Sequence, residues 1–191
     1  MPWLDHFGLL APLYDRLFRV PDTVRLAQLV CLPIRGRLLD AGGGTGRVAR
    51  TLVGSAGQVV VADVSWKMLS HAPAGTTLLL TVSQAERLPF STGGFERVIM
   101  VDAFHHLRDQ ERSLAELVRV CAVGGRVVIE EPDIERVLVW GIAVFERVAL
   151  MRSRFRRAEE IAASFRALGA AVSIHRQDAT VWIVAEPRSR G

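Results

Sequence analysis

The chain has 191 residues, half of them hydrophobic, and a formal net charge of +4, which suits one globular domain with a single sizeable core and excludes a disordered protein. No apolar run approaches the roughly 20 residues needed to cross a bilayer, and residues 1–5 lack the basic and apolar regions of a secretory signal, so we expect a cytoplasmic protein. The two cysteines, Cys31 and Cys121, are too few for a disulfide framework or a metal centre, and Cys121 is expected in the core.

Helix-like and strand-like segments alternate along the first two thirds of the chain. Residues 3–32 indicate two short helices that end before Pro33. Strands are predicted at 37–40, 58–63, 77–82, 97–101 and 126–130. Helices are predicted at 47–53, at 65–71 with Ser65 as the N-cap, and at 111–121 before a Gly124-Gly125 turn. This alternation predicts a parallel, doubly wound sheet.

The glycine-rich turn after the first strand is the most informative local feature. Glycines fall at alternate positions 42, 44 and 46, and the acidic residue Asp40 precedes them. Glycine accepts backbone angles closed to other residues and lets a ligand approach the main chain closely. A dinucleotide fingerprint reads G-x-G-x-x-G. Begun at Gly42, it needs a small residue where Arg47 stands; begun at Gly44, it needs one at position 49, where Ala49 fits loosely. The pattern present is D-x-G-x-G-x-G, and such a turn between a strand and a helix indicates a nucleotide-like ligand.

The last third of the chain lacks the alternation of strands and helices and begins with a long apolar stretch. Residues 134–151 are apolar around much of a helix circumference, and four arginines follow within 152–157. Residues 158–168 predict an amphipathic helix closed by Gly169. Residues 172–175 and 181–185 predict a closing antiparallel strand pair.

The D-x-G-x-G-x-G turn resembles the first motif of class I S-adenosylmethionine-dependent methyltransferases. The resemblance continues, in the right order, through segments 58–63, 84–90, 95–107 and 117–131. Within that family the chain is most similar to the type 11 group, which includes the ubiquinone and menaquinone C-methyltransferases, and Tyr14-Asp15 matches an N-terminal element of that group. It departs from the quinone enzymes at 16–18 and at 130–132, so no quinone is assigned.

The resemblance implies a Rossmann-like α/β fold. We expect a doubly wound, mostly parallel seven-stranded sheet with one antiparallel edge strand and helices on both faces. The chain is expected to form one domain, 1–191. Its parts are an N-terminal helical cap (1–32), a cofactor-binding core (37–132), a helical acceptor-side segment (134–168) and the closing strand pair (171–186).

The resemblance also implies the cofactor, S-adenosylmethionine, with S-adenosylhomocysteine as its product. Asp63 is expected to bind the ribose hydroxyls, because an acid about twenty residues after a glycine turn has this role in nucleotide-binding α/β folds. Asp40 is expected to orient the turn and to face the amine of the cofactor. The other residues implied in cofactor binding are Tyr14, Gly42, Gly43, Gly44 and Thr45 at the methionine end, Val101 near the sulfonium, and Val64, Met68, Gln84 and Ala85 around the adenine.

The adjacent histidines His105 and His106 follow the fourth strand. A histidine titrates near neutral pH and can remove a proton from an acceptor, so the pair is a candidate general base. A structural role in the loop is the alternative, because methyl transfer from a sulfonium depends mainly on in-line positioning. Neither has metal-ligand partners at a useful spacing, and no metal is expected. Glu130 and Glu131 end the fifth strand, where one can face the acceptor or both can be solvated.

The predicted reaction is methyl transfer to a small, lipophilic or aromatic acceptor. Residues 134–151 can line its pocket, form a buried core helix, or contact a membrane surface with the arginines facing anionic headgroups. No DNA is expected, and RNA is disfavoured because the loop 101–106 lacks the Pro-Pro-aromatic pattern of base-flipping enzymes. A nicotinamide oxidoreductase needs a Tyr-Lys pair, which this chain lacks. A non-catalytic partner subunit stays open, and the oligomeric state is not readable.

Overall fold

The computed structural model describes residues 22–72, 78–136 and 154–189, and these residues build one seven-stranded sheet in the order β3-β2-β1-β4-β5-β7-β6. The strands are β1 Arg37–Ala41, β2 Gln58–Asp63, β3 Leu78–Val82, β4 Phe95–Val101, β5 Cys121–Pro132, β6 Ala171–Gln177 and β7 Thr180–Glu186. The helices are α1 Thr23–Val30, α2 Trp66–Leu69, α3 Gln110–Val120 and α4 Ala158–Ala167, with single 3₁₀ turns at Ala49–Leu52 and Phe104–His106.

The central strands contain runs of buried apolar residues because both faces of the sheet are covered. Helices α3 and α4 pack on one face, and α1, α2 and the first 3₁₀ turn pack on the other. Val59, Val60, Val61 and Ala62 of β2 are all buried, as expected of a parallel strand between two helical layers. The predicted doubly wound α/β fold is confirmed.

The reversed strand lies one place in from the edge of this sheet. β7 pairs antiparallel with β5 on one side and with β6 on the other, so β6 forms the edge and runs with the parallel strands. A tight turn at Asp178, whose φ is +52°, closes the β6–β7 hairpin and lets β7 insert between β5 and β6. The predicted single antiparallel strand is present, but it is not the edge strand.

Several predicted element bounds change for local reasons. The helix predicted at 47–53 is a single 3₁₀ turn at Ala49–Leu52, because the β-branched residues Val48, Thr51 and Val53 disfavour a longer helix. Strand five begins at Cys121 rather than at 126, since Gly124-Gly125 is absorbed into an irregular stretch of β5 where the pairing with β4 shifts register. Cys121 is buried, as predicted.

Side-chain caps at the starts of α2 and α3 follow the strands β2 and β4, and one of them confirms a predicted cap. Ser65 Oγ accepts a hydrogen bond from the Met68 N–H at 3.3 Å, and Asp109 accepts one from the Arg112 N–H at 3.0 Å. These caps set where α2 and α3 begin, directly after the loops that follow β2 and β4.

Parts of three predicted regions lie outside the described residues. They are the first N-terminal helix with Tyr14, the start of strand three at 77, and most of the acceptor-side segment, 137–153. Within the described ranges, no helix combines the length and apolar composition that a membrane span requires.

Candidate functional site

The glycine turn brings the loops after β1, β2 and β4 together. Gly42 and Gly44 have φ angles of +74° and +55°, which disfavour residues with a Cβ. A Cβ on Gly42 would also lie 2.7 Å from the Ala103 Cβ. The Gly42 N–H donates to the Ala62 carbonyl at 2.7 Å, and the Gly44 N–H donates to Asp63 Oδ2 at 2.9 Å. The turn is therefore tied to β2 and closely packed against the loop after β4.

A cavity of about 380 Å³ opens at the carboxyl ends of these strands, a size typical of small-molecule sites. Its lining includes every predicted cofactor residue that the structure describes: Asp40, Gly42, Gly43, Gly44, Thr45, Asp63, Val64, Met68, Gln84, Ala85 and Val101. Tyr14 lies outside the described residues. The sheet order places the residues after β3 and β2 at one end of the cavity and those after β1 and β4 at the other.

Asp63 is held in place by the backbone on both sides. Its Oδ2 accepts from Gly44 N–H, and its Oδ1 accepts from Ser65 N–H at 2.8 Å. A carboxylate has about four acceptor sites on its two oxygens, so each oxygen retains capacity for a ligand hydroxyl. The two backbone bonds orient the carboxylate before any ligand arrives.

Asp40 is buried beneath the turn, and neither of its carboxylate oxygens has a hydrogen-bond partner among the described residues. Burial, and next the nearby charge of Asp63, raise its pKa to about 7, while the Arg47 charge and the Ala49 N–H, which approaches Asp40 without reaching hydrogen-bond geometry, lower it. A buried carboxylate without partners is costly. A cationic or hydrogen-bond-donating ligand would relieve that cost.

The β2–β3 end of the cavity has an apolar floor and an open rim. Met68 is buried, and its Cε lies 3.1 Å from where a Cβ on Gly44 would stand. Ala85 is buried, whereas Val64 is 65% exposed and lies at the rim. Gln84 is exposed. This end suits a flat ring bound between apolar side chains, with polar groups at its edge.

Six charged residues that the sequence interpretation did not select also line the cavity: Arg47, Glu86, Asp102, Arg108, Asp109 and Arg112. Arg47 follows the glycine turn and Asp102 follows β4, and the Arg47 Nη2 lies 3.7 Å from Asp102 Oδ2. Asp102 has a φ of +51°. The positions of Arg47 and Asp102 in the sequence could have indicated them, because Arg47 directly follows the glycine turn and Asp102 directly follows β4.

The two histidines have different environments. His106 lines the cavity, and burial, followed by the charge of His105, lowers its pKa to about 3. His105 is buried and not among the lining residues, and its Nδ1 lies 2.6 Å from Glu131 Oε2. His105 also stacks on Phe155 with ring centroids 4.4 Å apart. Of the candidate base pair, His106 alone reaches the cavity, as a neutral imidazole.

Glu130 and Glu131 are both buried, which rules out the alternative of a solvated strand end. Glu131 Oε1 accepts from the Phe104 N–H at 3.0 Å, which ties β5 to the loop that carries the histidines. Glu130 Oε2 accepts from Trp182 Nε1 at 2.7 Å. Burial raises the pKa of Glu130 to about 7, although the Trp182 bond opposes the shift. The insertion of β7 beside β5 explains this burial.

Comparison with known proteins agrees with this geometry. The model of a type 11 family described as "Methyltransferase domain" matches residues 39–129. The chain is 33% identical over 103 residues to the ubiquinone/menaquinone biosynthesis C-methyltransferase UbiE of Bordetella parapertussis, covering 50% of this chain and 40% of that protein. It is 34% identical over 139 residues to the demethylmenaquinone methyltransferase of Thermus thermophilus, covering 65% and 63%.

The chain thus spans about half the length of the curated relatives that it matches. Among solved structures, it matches a chain of the complex between the Haloferax volcanii Trm112 methyltransferase activator and a methyltransferase. That match has a TM-score of 0.79 at 21% identity and covers 97% of this chain and 99% of the other, which supports the fold. The family model at residues 39–129 and these relatives indicate that the chain contains a methyltransferase domain of the type 11 group.

Proposed function

We propose that this protein binds S-adenosylmethionine and transfers its methyl group to a small, lipophilic or aromatic acceptor. The observation that carries the proposal is the buried Asp40, which has no hydrogen-bond partner among the described residues and lies under the glycine turn, beside the oriented carboxylate of Asp63. A nucleoside with ribose hydroxyls and an ammonium group complements both carboxylates. The family match supports the same ligand.

The residues after successive strands suggest how the cofactor lies. Asp63 would bind the ribose hydroxyls, and Met68 and Ala85 would pack on the adenine, with Val64 and Gln84 at the rim. The turn at Gly42, Gly43, Gly44 and Thr45 would hold the methionine end close to the backbone, with Val101 near the sulfonium. When bound, S-adenosylmethionine supplies an electrophilic methyl group.

The residues of the chain would contribute to catalysis mainly by orienting the acceptor relative to the sulfonium. A cavity that fixes the sulfonium and the acceptor in line converts an encounter into an intramolecular reaction. The pKa of His106, about 3, favours a hydrogen-bonding role over proton removal at neutral pH, since a useful base has a pKa near the working pH. We therefore infer that positioning carries the catalysis.

The relatives and the chain itself support the proposed acceptor class. One curated relative is named for ubiquinone and menaquinone biosynthesis and the other is named a demethylmenaquinone methyltransferase, and residues 134–151 are rich in apolar side chains. An aromatic, lipophilic small molecule fits both observations. Quinols are the first members of the class to try.

The proposal is tested by incubating the protein with S-adenosylmethionine carrying a labelled methyl group and a panel of quinols, lipophilic phenols and amines. We expect label to enter at least one organic-extractable product, and S-adenosylhomocysteine to form in equal amount. Cofactor binding without transfer to any acceptor would favour a non-catalytic partner subunit. An Asp63→Ala sample controls for uncatalysed methylation.

The two histidines should respond differently to alanine substitution. His105→Ala removes a partner of the buried Glu131 and should lower the free energy of unfolding by about 2–4 kcal/mol. His106→Ala should cost less stability, because His106 lines the cavity. Both should bind S-adenosylhomocysteine nearly as wild type does. Urea titration and calorimetry measure the two quantities, and equal destabilisation by both changes would contradict the assignment.

A further inference from the structure

The sheet ends on one side at β3, a five-residue edge strand. Within the described ranges, β2 is the one strand that pairs with it. Leu79, Leu80 and Val82 are between 39% and 52% exposed, although large apolar residues are normally buried in a strand. The strand contains no charged residue and no proline. β3 is therefore an apolar edge that can pair with a further strand.

The opposite edge of the sheet is protected, as native edge strands usually are. β6 carries Ser173, His175 and Arg176, and Arg176 forms ion pairs with Asp133 and Glu159. Charged side chains on an edge strand discourage pairing with another chain. Because β3 lacks this protection, the two edges differ in their capacity to accept an added strand.

The main chain of β3 directs donors and acceptors away from β2. The Ser83 N–H, directly after the strand, donates to the Asp63 carbonyl of β2 at 2.9 Å. Successive residues of a strand direct their N–H and C=O groups to opposite sides, so Leu80 and Val82 direct theirs outward. An added strand would satisfy these groups and cover the two side chains together.

Exposed apolar surface continues beyond the strand. α2 packs beside β3, and its Trp66 is 65% exposed, as is Val64 shortly before it. Apolar surface of this kind marks interaction sites, and tryptophan is enriched at protein interfaces. A specific interface needs about 1,000 Å² in total, and these two side chains add area to what a strand pairing alone would bury.

We propose that two copies of this chain associate through β3, paired antiparallel about a two-fold axis at Leu80. Leu80 then lies opposite its own copy, Leu79 opposite Thr81, and Leu78 opposite Val82. A second copy fits this edge because such pairing is self-complementary and because an uncharged strand meets its copy without like-charge repulsion. The outward N–H and C=O groups exchange hydrogen bonds across the axis. This inference does not depend on the proposed function.

The test is the mass of the protein in solution. Light scattering of the wild-type protein at about 100 μM should give the mass of two chains of 21.0 kDa each. Leu80→Lys and Leu80→Glu each place like charges opposite each other at the axis, and each should weaken association at least about tenfold. An equal mixture of the two variants should recover association, because opposite charges then face each other.

Val123→Lys is the matched control. Val123 is a 69% exposed valine on β5, far from β3 in the strand order, so this variant should associate as wild type does. Loss of association in Val123→Lys would show that any added surface charge has the same effect, and would contradict the β3 interface.

Each remaining outcome also decides the inference. A wild-type protein that stays monomeric at about 100 μM overturns it, and the edge would then serve a strand of another protein. A dimer that persists in both Leu80 variants shows that the interface is elsewhere, and folded variants that do not recover on mixing contradict the two-fold register. Thermal unfolding establishes that the variants are folded. Where they are not, Val82→Lys replaces them, and association equal to that of wild type contradicts the proposal.

Discussion

Replacing Asp63 by alanine is expected to weaken S-adenosylhomocysteine binding by about a hundredfold or more. Two hydrogen bonds from ribose hydroxyls to a carboxylate contribute about 1.5–3 kcal/mol each. The substitution also removes the acceptor for Gly44 N–H and Ser65 N–H, so the turn loses a restraint that preorganises it. Calorimetric titration of the purified variant measures the affinity, and thermal unfolding establishes that the variant is folded.

Asp22→Ala is the matched control for this change. Asp22 also accepts a backbone hydrogen bond, from the Arg25 N–H at 2.9 Å, as the cap of α1, and it does not line the cavity. It should lose about 1 kcal/mol of stability and keep its ligand affinity. A folded Asp63→Ala protein with unchanged affinity would contradict the ribose assignment.

Replacing Asp40 by asparagine is expected to stabilise the free protein at pH 8 and to weaken cofactor binding at the same pH. The pKa of Asp40 rises in the fold from 3.8 to about 7, so between these values the folded state holds a proton that the unfolded state has released. Wild-type stability therefore falls as pH rises through this window. Asp102 and Glu130, with raised pKa values of about 6 and 7, act in the same direction, and His106, with a lowered pKa, acts in the opposite one.

The stabilisation by Asp40→Asn should be close to zero at pH 4 and reach about 1–3 kcal/mol above pH 7. It is smaller than the full linkage energy, because a buried amide without partners has its own desolvation cost. The affinity for S-adenosylmethionine should fall at least tenfold at pH 8, since the ammonium loses an anionic partner. Urea unfolding at both pH values, with calorimetry at pH 8, measures the two effects. A variant less stable than wild type at pH 8 would contradict the assignment.

The fold was predictable because its main determinants are local in sequence. The apolar runs in β1, β2, β4 and β5, each followed by a turn and a helical pattern, specify a parallel sheet between two helical layers. The position of β7 between β5 and β6 depends on long-range pairing that no local pattern encodes. A longer helix was predicted where the structure has a single 3₁₀ turn at Ala49–Leu52. Over so few residues, helix propensity determines neither the type nor the length of a helix reliably.

In the candidate site too, residues within local motifs were predictable from the sequence, and residues that depend on long-range pairing were not. Asp40 and the glycines could be selected because they form a contiguous motif, and Asp63 could be selected because it ends the next strand at a fixed spacing from that motif. Arg47, Asp102 and the buried His105–Glu131 pair depend on which loops the sheet order brings together, and on the depth to which β7 buries the end of β5. The sequence left the histidine pair as either a candidate base or a structural part of the loop, and their different burial separates the roles of the two residues.

The central claim is that this cavity binds S-adenosylmethionine rather than a dinucleotide. Its most direct test is parallel calorimetric titration of the wild-type protein with S-adenosylmethionine, S-adenosylhomocysteine and NAD. We predict saturable one-to-one binding of the first two ligands and no heat of binding with NAD. Binding of NAD alone, or of none of the three, would contradict the account.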